Sequence, residues 1–214
     1  VRLKKGNVKA APIKNIPLQL PFNSKAFTPE NFGYTVSFDK KGNSFAAELI
    51  GDKVTCDNIT FSIADHENKN VIKCKGDTIQ LPKEAAGKKL YILAASTDKD
   101  RKSTFLVNGK SHEFEIPYYS GFYGQWGHKG VSDGYIRNAS LAYIGSHRHT
   151  EKGNDTYIYT YMYKLGIELP HEAHTLVLPK DENIAVFAIT LSDNYIDDIS
   201  TANEMRTLPL EVSK

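Results

Sequence analysis

The sequence predicts an all-β protein built as a single antiparallel β-sandwich with little helix. Short apolar runs recur along the chain, and turn-forming Gly, Asn, Asp and Pro residues separate them. Roughly eleven such runs occur at the regular spacing that is typical of a sandwich or barrel. No segment shows a sustained 3.6-residue periodicity, so we expect at most short helical turns.

The composition fits one folded domain. Of the 214 residues, 40% are hydrophobic and 24% are charged, a balance that supports a buried core. The formal net charge of +2 is too small to indicate a nucleic-acid partner, and no apolar run reaches the ~18 residues of a membrane span. The segment Val1–Gly6 contains neither a Met nor an apolar signal core, so we expect a processed or excised chain.

The N-terminal half predicts several short elements. Residues 1–25 contain three prolines and are expected to form an extended connector or an edge strand, because proline cannot donate to a sheet ladder. A strand at 34–38 is expected to turn at 39–43 and to lead into a strand at 44–49.

A hairpin is predicted from the runs 58–65 and 70–79, turning at 66–69. In that register Cys56 and Cys74 do not lie opposite each other. We therefore favour two buried thiols over a disulfide, which stays open as the alternative.

The second half contains stronger signals. The run Lys89–Ala95 is almost continuously apolar and predicts a strand that is buried on both faces. Asn108–Gly109 predicts a tight hairpin. Between Tyr157 and Lys164 four tyrosines alternate, which places them on one face; we interpret this face as packing between sheets or domains.

Other predicted elements are strands at 78–81, 175–178 and 184–191, and helical turns at 83–86 and 200–205. The predicted domain organisation is a connector at 1–25, a β-sandwich domain at 26–192 and a C-terminal tail at 193–214.

The triplet His147-Arg148-His149 is the first candidate site. On an extended strand both histidines point to the same side, as two metal ligands at positions i and i+2 would. The local sequence supplies no third ligand, and the metal stays unknown; the side chains considered are Glu151, Asp155, His171 and His174. The alternative is a polar sheet end whose histidines bond backbone and neighbouring carboxylates. Arg148 points the other way, where it could pair with a carboxylate.

An aromatic cluster is the second candidate site. Its rings are Tyr118, Tyr119, Phe122, Tyr123 and Trp126, and they alternate with glycines. Aromatic rings on glycine-rich loops can stack on the apolar C–H faces of sugars. The competing interpretation is that these rings pack against the end of the sandwich.

The sequence offers no clear catalytic centre. It contains no nucleophile elbow, no zinc-protease motif and no phosphate-binding glycine loop. A glycosidase would need two carboxylates across a cleft. The possible members are Glu48, Glu115, Asp133 and Asp155, and nothing in the sequence singles out a pair.

Several short motifs follow one another along the chain. They are Ile16-Pro-Leu-Gln-Leu-Pro-Phe-Asn23, Phe38-Asp-Lys-Lys-Gly-Asn-Ser-Phe-Ala-Ala-Glu-Leu49, Ile59-Thr-Phe-Ser-Ile63 with Asn70–Pro82 and Leu90–Ser96, and Gly145-Ser-His-Arg-His149 with the tyrosine strand, Leu169-Pro170 and Thr175–Pro179. Their order and spacing resemble the C-terminal β-rich region of bacterial glycoside hydrolase family 38 α-mannosidases. The resemblance covers most of residues 12–192. It implies an all-β domain that is jelly-roll-like (galactose-binding-like).

The resemblance implies a non-catalytic ancillary domain of a periplasmic or extracellular carbohydrate-active enzyme. Its partners would be a glycan or mannoside and an upstream catalytic domain of the same polypeptide, whose catalytic residues match no position here. The jelly-roll analogy also raises a structural calcium ion. The expected carbohydrate-binding residues are Tyr119, Tyr123, Trp126, His147, Arg148 and His149. The alternative is a purely structural module that docks on a catalytic domain and binds no sugar.

Overall fold

The computed structural model describes residues 13–30, 36–121, 124–125, 135–136 and 139–194. This part of the chain contains sixteen strands and two short 3-10 turns, which confirms the all-β prediction. The strands are β1 Asn15–Pro17, β2 Phe27–Thr28, β3 Ser44–Ala46, β4 Lys53–Cys56, β5 Ile59–Ser62, β6 Ile72–Lys73, β7 Thr78–Gln80, β8 Lys89–Ser96, β9 Arg101–Val107, β10 Lys110–Ile116, β11 Gly124–Gln125, β12 Tyr135–Ile136, β13 Ser140–Thr150, β14 Gly153–Glu168, β15 Thr175–Val177 and β16 Ile184–Ser192. The 3-10 turns span Ala47–Leu49 and Lys83–Ala85. Among these residues no helix has both the length and the apolar character that crossing a membrane requires.

The strands form two main sheets. The larger has eight strands in the order β1-β16-β8-β14-β13-β3-β2, with β6 paired to β16 as well. Its neighbours run antiparallel except for β2 and β3, which are parallel. The smaller sheet has the order β10-β9-β15-β7, and two separate pairs join β4 to β5 and β11 to β12. The antiparallel sandwich predicted from the sequence is thus confirmed.

The centre of the large sheet, at β8 and β16, is buried on both faces because each face covers a separate hydrophobic core. In β8, Tyr91 and Leu93 point into the first core, which also holds Phe45 and Phe61. Leu90 and its alternating partners in β8 point into the second core, below the smaller sheet. All eight residues of β8 are buried, which confirms the prediction from its apolar run. Each buried Leu or Ile stabilises the fold by about 1.5–3 kcal/mol.

A β-bulge in β16 lets this strand serve both cores. The register against β8 shifts between Val186 and Ala188, so Phe187 is the additional residue. Phe187 and Ala188 therefore both belong to the first core, whereas Val186 and Ile189 belong to the second.

The strongest turn signals are confirmed. The chain turns between β9 and β10 at Asn108 and Gly109, whose φ angles of 48° and 81° suit a two-residue hairpin. The turn at 39–43 is closed by the Asp39 carboxylate, which accepts hydrogen bonds from the backbone N–H of Lys41 and Asn43. β1 lies at the edge of the large sheet, where Pro17 is tolerated. The helical turn expected near 83–86 is present as a 3-10 turn.

The hairpin predicted from 58–65 and 70–79 is wrong. β5 pairs instead with β4 through a tight turn at Asp57 and Asn58, which both adopt positive φ. β6 joins the large sheet beside β16, because Ile72 is completely buried there. No disulfide joins Cys56 to Cys74: Cys74 is buried in the second core, and the Cys56 Sγ lies 3.5 Å from the carbonyl oxygen of Leu141.

Two further predictions need correction. The strand expected at 44–49 ends at Ala46 and continues as the 3-10 turn Ala47–Leu49. The tyrosines of β14 do not form one continuous face, because residues 157–159 stand against a single residue of β13 where the register shifts. Tyr161 and Tyr163 are buried in the first core, whereas Tyr157 is 79% exposed. The helical turn predicted at 200–205, most of the predicted tail and part of the strand at 34–38 lie outside the described residues.

Candidate functional site

The two histidines of the triplet lie side by side on β13, near the end of the large sheet. Their rings are nearly parallel, with an interplanar angle of 30° and centroids 5.4 Å apart. His149 is buried and pairs in register with Ser44 of β3. The same-side placement predicted from their i, i+2 spacing is therefore confirmed.

Glu48 is the residue that joins the two histidines. β3 runs antiparallel to β13, and the 3-10 turn that follows it brings Glu48 back over the histidine side chains. The Glu48 Oε1 atom lies 3.0 Å from His147 Nε2 and 2.9 Å from His149 Nε2. Among the described residues these three side chains place their ligand atoms within 4.8 Å of one another, which qualifies them as a possible metal-ion site. Together they form the Glu48–His147–His149 cluster.

From the sequence alone, Glu48 is one of several carboxylates, and no local signal links it to the histidines. The candidates considered as third ligand do not belong to the cluster. One of them, Asp155, belongs to a different pair on the opposite face of the strand. Glu48 is about a hundred positions from the histidines along the chain, and only the pairing of β3 with β13 brings them together.

Arg148 points away from the two histidines, as predicted. Its guanidinium donates to the Asp155 carboxylate, with Nε 2.8 Å and the terminal nitrogen 2.7 Å from Oδ2. Asp155 is the residue directly opposite Arg148 in the β13–β14 pair. This contact joins the two strands of the hairpin through their side chains.

The aromatic candidates divide into a buried ring and residues outside the described chain. Tyr119 is fully buried, and its hydroxyl donates to Asp39 Oδ2 at 2.8 Å. Burial raises the pKa of Tyr119, and the nearby Asp39 carboxylate raises it further. Its ring packs against Phe38 and Phe45, so it offers no face to a sugar and its predicted stacking role is wrong. Tyr123 and Trp126 lie outside the described residues, and their stacking role stays a prediction.

An open cleft of about 790 Å³ lies beside the cluster and shares Glu48 with it. Its described lining combines five carboxylates with apolar side chains and contains neither Lys nor Arg. The lining residues are Pro29, Glu30, Ala47, Glu48, Ile50, Gly51, Asp52, Ile63, Ala64, Asp65, His66 and Glu67. The lining is therefore acidic although the whole chain carries a formal charge of +2, and two ammonium groups border it: Lys53 Nζ lies 4.0 Å from the Asp52 carboxylate, and Lys25 donates to the Glu67 carbonyl.

Two lining residues have shifted pKa values that keep the cleft negative at neutral pH. The backbone N–H of Glu67 donates to Asp65 and lowers the pKa of that carboxyl group, so Asp65 is ionised. Burial lowers the pKa of His66, whose ring lies 4.7 Å from the ring of Phe27. His66 is therefore neutral at pH 7 and does not offset the carboxylates.

The arrangement has two chemical capacities. The acidic cleft can accept hydrogen bonds from hydroxyl or ammonium groups, and its apolar wall can contact C–H surfaces. The cluster offers two imidazole nitrogens and one carboxylate oxygen at a common point, a donor set that suits a transition-metal ion.

Comparison with known proteins identifies the fold. A family model described as an AziU2-like beta-sandwich domain matches residues 14–195, a range that contains all the strands, the cluster and the cleft. No curated protein matches the sequence. Neither comparison links the chain to α-mannosidases.

Proposed function

This chain belongs to the AziU2-like beta-sandwich domain family, and on that premise we propose that it is a ligand-binding domain for a polyhydroxylated, carbohydrate-class molecule. The observation that carries the proposal is the acidic cleft with its apolar wall. Carboxylates accept hydrogen bonds from sugar hydroxyls, and the side chains of Ile50 and Ile63 can contact the C–H face of a pyranose ring. An anionic ligand such as a phosphate would be repelled by the five carboxylates.

In this proposal the chain serves as a non-catalytic ancillary domain of a carbohydrate-active enzyme. The resemblance of its motifs to the C-terminal region of family 38 α-mannosidases supports that role. The glycan or mannoside would occupy the cleft, a catalytic domain of the same polypeptide would act on it, and the protein would work in the periplasm or outside the cell. The predicted contributions of Tyr123 and Trp126 as stacking groups, and of His147, Arg148 and His149 as polar partners, belong to the same proposal.

A glycan array that includes α-mannosides tests the proposal directly. The wild-type chain is expected to retain a subset of the glycans, and isothermal titration calorimetry with the best of them gives the affinity. Replacing Asp52→Asn together with Glu67→Gln removes two cleft charges without touching the core, since both residues are exposed. A hydrogen bond to a charged group contributes about 1.5–3 kcal/mol, so the double variant should bind at least ~10-fold more weakly.

The matched control is the pair Glu84→Gln and Glu172→Gln, two exposed carboxylates outside the cleft lining. This variant loses the same formal charge and should bind as the wild type does. A wild-type chain that retains no glycan, or an equal loss of affinity in the control, would refute the proposal.

A second function, a structural docking module, is favoured by one specific observation. Three large apolar side chains on β13 and β14 are exposed: Ile144 by 55%, Tyr157 by 79% and Tyr159 by 37%. If they dock on another domain, the double variant Tyr157→Ser and Tyr159→Ser should lower the melting temperature of the protein that the complete reading frame encodes. The melting temperature of this chain on its own should stay unchanged. Equal effects on both proteins would exclude docking through these two rings.

A further inference from the structure

We propose that Glu48, His147 and His149 form a binding site for one first-row divalent metal ion, with Zn²⁺ as the preferred ion. The three side chains converge from two parts of the chain, and their ligand atoms lie within 4.8 Å of one another. The proposal concerns an ion rather than the ligand of the cleft, and it does not depend on the proposed carbohydrate binding.

The local backbone presents the donors in the arrangement that a metal requires. His147 and His149 alternate on an extended strand, so their rings stack at 5.4 Å and both Nε2 atoms point at Glu48. The 3-10 turn that carries Glu48 follows directly on β3, which is hydrogen-bonded to β13. Because the donors sit on paired strands and a short turn, little conformational entropy has to be lost when an ion binds.

The two His–Glu separations are close to those around a tetrahedral ion. Zinc bonds of about 2.0–2.1 Å to nitrogen and oxygen imply donor–donor separations of about 3.3 Å in a tetrahedron. The two His–Glu separations are 3.0 and 2.9 Å, so each contact would lengthen by a few tenths of an ångström. That change lies within the freedom of the side-chain torsion angles and leaves the strands in place.

The competing interpretation is a hydrogen-bonded group in which both imidazole N–H groups donate to one carboxylate oxygen. Two donors then share Glu48 Oε1. A metal ion would take the place of both Nε2 protons and accept three lone pairs, and each proton would move to the Nδ1 atom of its own ring. In His147 that atom lies 3.3 Å from Ser146 Oγ, a hydroxyl that can accept the hydrogen bond.

The donor set determines the class of ion. Two imidazole nitrogens with one carboxylate suit Zn²⁺ and its first-row neighbours, whereas Ca²⁺ and Mg²⁺ prefer oxygen donors. Three protein ligands also leave a fourth position for water or another small ligand. Solvent reaches the site, because the side chains of Glu48 and His147 are 29% and 15% exposed.

The test is a metal titration of the tag-free full chain after treatment with a chelator. Co²⁺ binding is followed by visible absorption, and Zn²⁺ is then added as the competitor. We expect one saturable site per chain, displacement of Co²⁺ by Zn²⁺, and no displacement by Ca²⁺ at the same concentration. His147→Ala removes a ligand and should weaken Zn²⁺ binding by at least ~100-fold, since even the loss of an outer partner costs about 10–100-fold.

Glu48→Gln is the second variant. It lies on an exposed position of the turn and should weaken binding at least ~10-fold without unfolding the chain. His174→Ala is the control, because His174 is exposed and outside the cluster, and it should bind as the wild type does. X-ray absorption of the zinc-loaded wild type provides a readout independent of the variants and should show two imidazoles. No saturable binding, an absorption spectrum without imidazole, or an equal loss in His174→Ala would overturn the proposal.

Discussion

Replacing Gly145 with Ala should destabilise the protein by overpacking the β13–β14 pair. A Cβ atom at Gly145 would overlap with Thr160 Oγ1 and would lie 2.9 Å from the hydroxyl of Tyr143. Thr160 is completely buried directly opposite Gly145, so it has little room to move away. Overpacking of this kind costs about 1–3 kcal/mol; we expect about 2 kcal/mol, or ~4–8 °C in melting temperature for a chain of this size.

A second substitution isolates the atom that causes the loss. Among the described residues, the Thr160 hydroxyl is one of few buried side-chain atoms without a hydrogen-bond partner. Thr160→Ala therefore removes both the clashing oxygen and an unsatisfied polar group, and alone it should change stability by less than about 1 kcal/mol. In Gly145→Ala with Thr160→Ala we expect at least half of the loss to be recovered, a coupling of ~1 kcal/mol or more.

Urea unfolding monitored by circular dichroism measures these free energies. Gly51→Ala is the matched control, because no atom lies within 4 Å of the added Cβ. It should be neutral or slightly stabilising, since alanine restricts the unfolded chain more than glycine does. The reasoning would be refuted if Gly145→Ala were as stable as Gly51→Ala, or if removing the Thr160 hydroxyl recovered nothing.

Three further predictions concern charge, thiol reactivity and backbone conformation. The side-chain hydrogen bond from Arg101 lowers the pKa of Asp98 to about 2, so its contribution to stability is complete above about pH 4 and is lost as the pH falls towards 2. In Arg101→Gln the unfolding free energy should depend less on pH between about 4 and 2, and an unchanged pH profile would contradict the role given to Arg101. Burial raises the pKa of the Cys74 thiol, so iodoacetamide should label the half-buried Cys56 before Cys74. Mass spectrometry measures the two labelling rates, and equal rates would contradict the placement of Cys74 in the core. Asn58 has a φ of 63°, a left-handed conformation that alanine adopts less readily than glycine, so Asn58→Ala should lower the unfolding free energy by about 1 kcal/mol whereas Asn58→Gly should not. Equal losses in the two variants would contradict a left-handed backbone at this turn.

The elements that the sequence predicted correctly depend on local information. The apolar run of β8 is long enough to require burial on both faces, and Asn108–Gly109 contains the residue types that a two-residue hairpin needs. Asp57–Asn58 forms the same kind of tight turn, but it lacks a glycine and therefore carries a weaker local signal. The pairing of β5 predicted through a turn at 66–69 was wrong, because β5 closes back on β4 through Asp57 and Asn58 instead.

Only the two histidines of the candidate site could be predicted, because Glu48 comes from a distant part of the chain. The i, i+2 spacing of His147 and His149 predicts their common direction, and the structure confirms it. Nothing local predicts that Glu48 faces them, since the strand expected at 44–49 ends early and a 3-10 turn redirects this side chain. Tyr119 illustrates the opposite problem: an aromatic residue in a glycine-rich segment has the same sequence signature whether its ring is buried or exposed.

The pairing of β3 with β13 has a consequence for how the protein folds. Ser44 and His149 are neighbours in the sheet although more than a hundred residues separate them, and β1 similarly pairs with β16 at the other edge. Such a high contact order predicts slow folding, since long loops must close before these contacts stabilise anything. The Glu48–His147–His149 cluster therefore exists only in the closed sheet, and an ion bound by all three side chains would slow the opening of that edge.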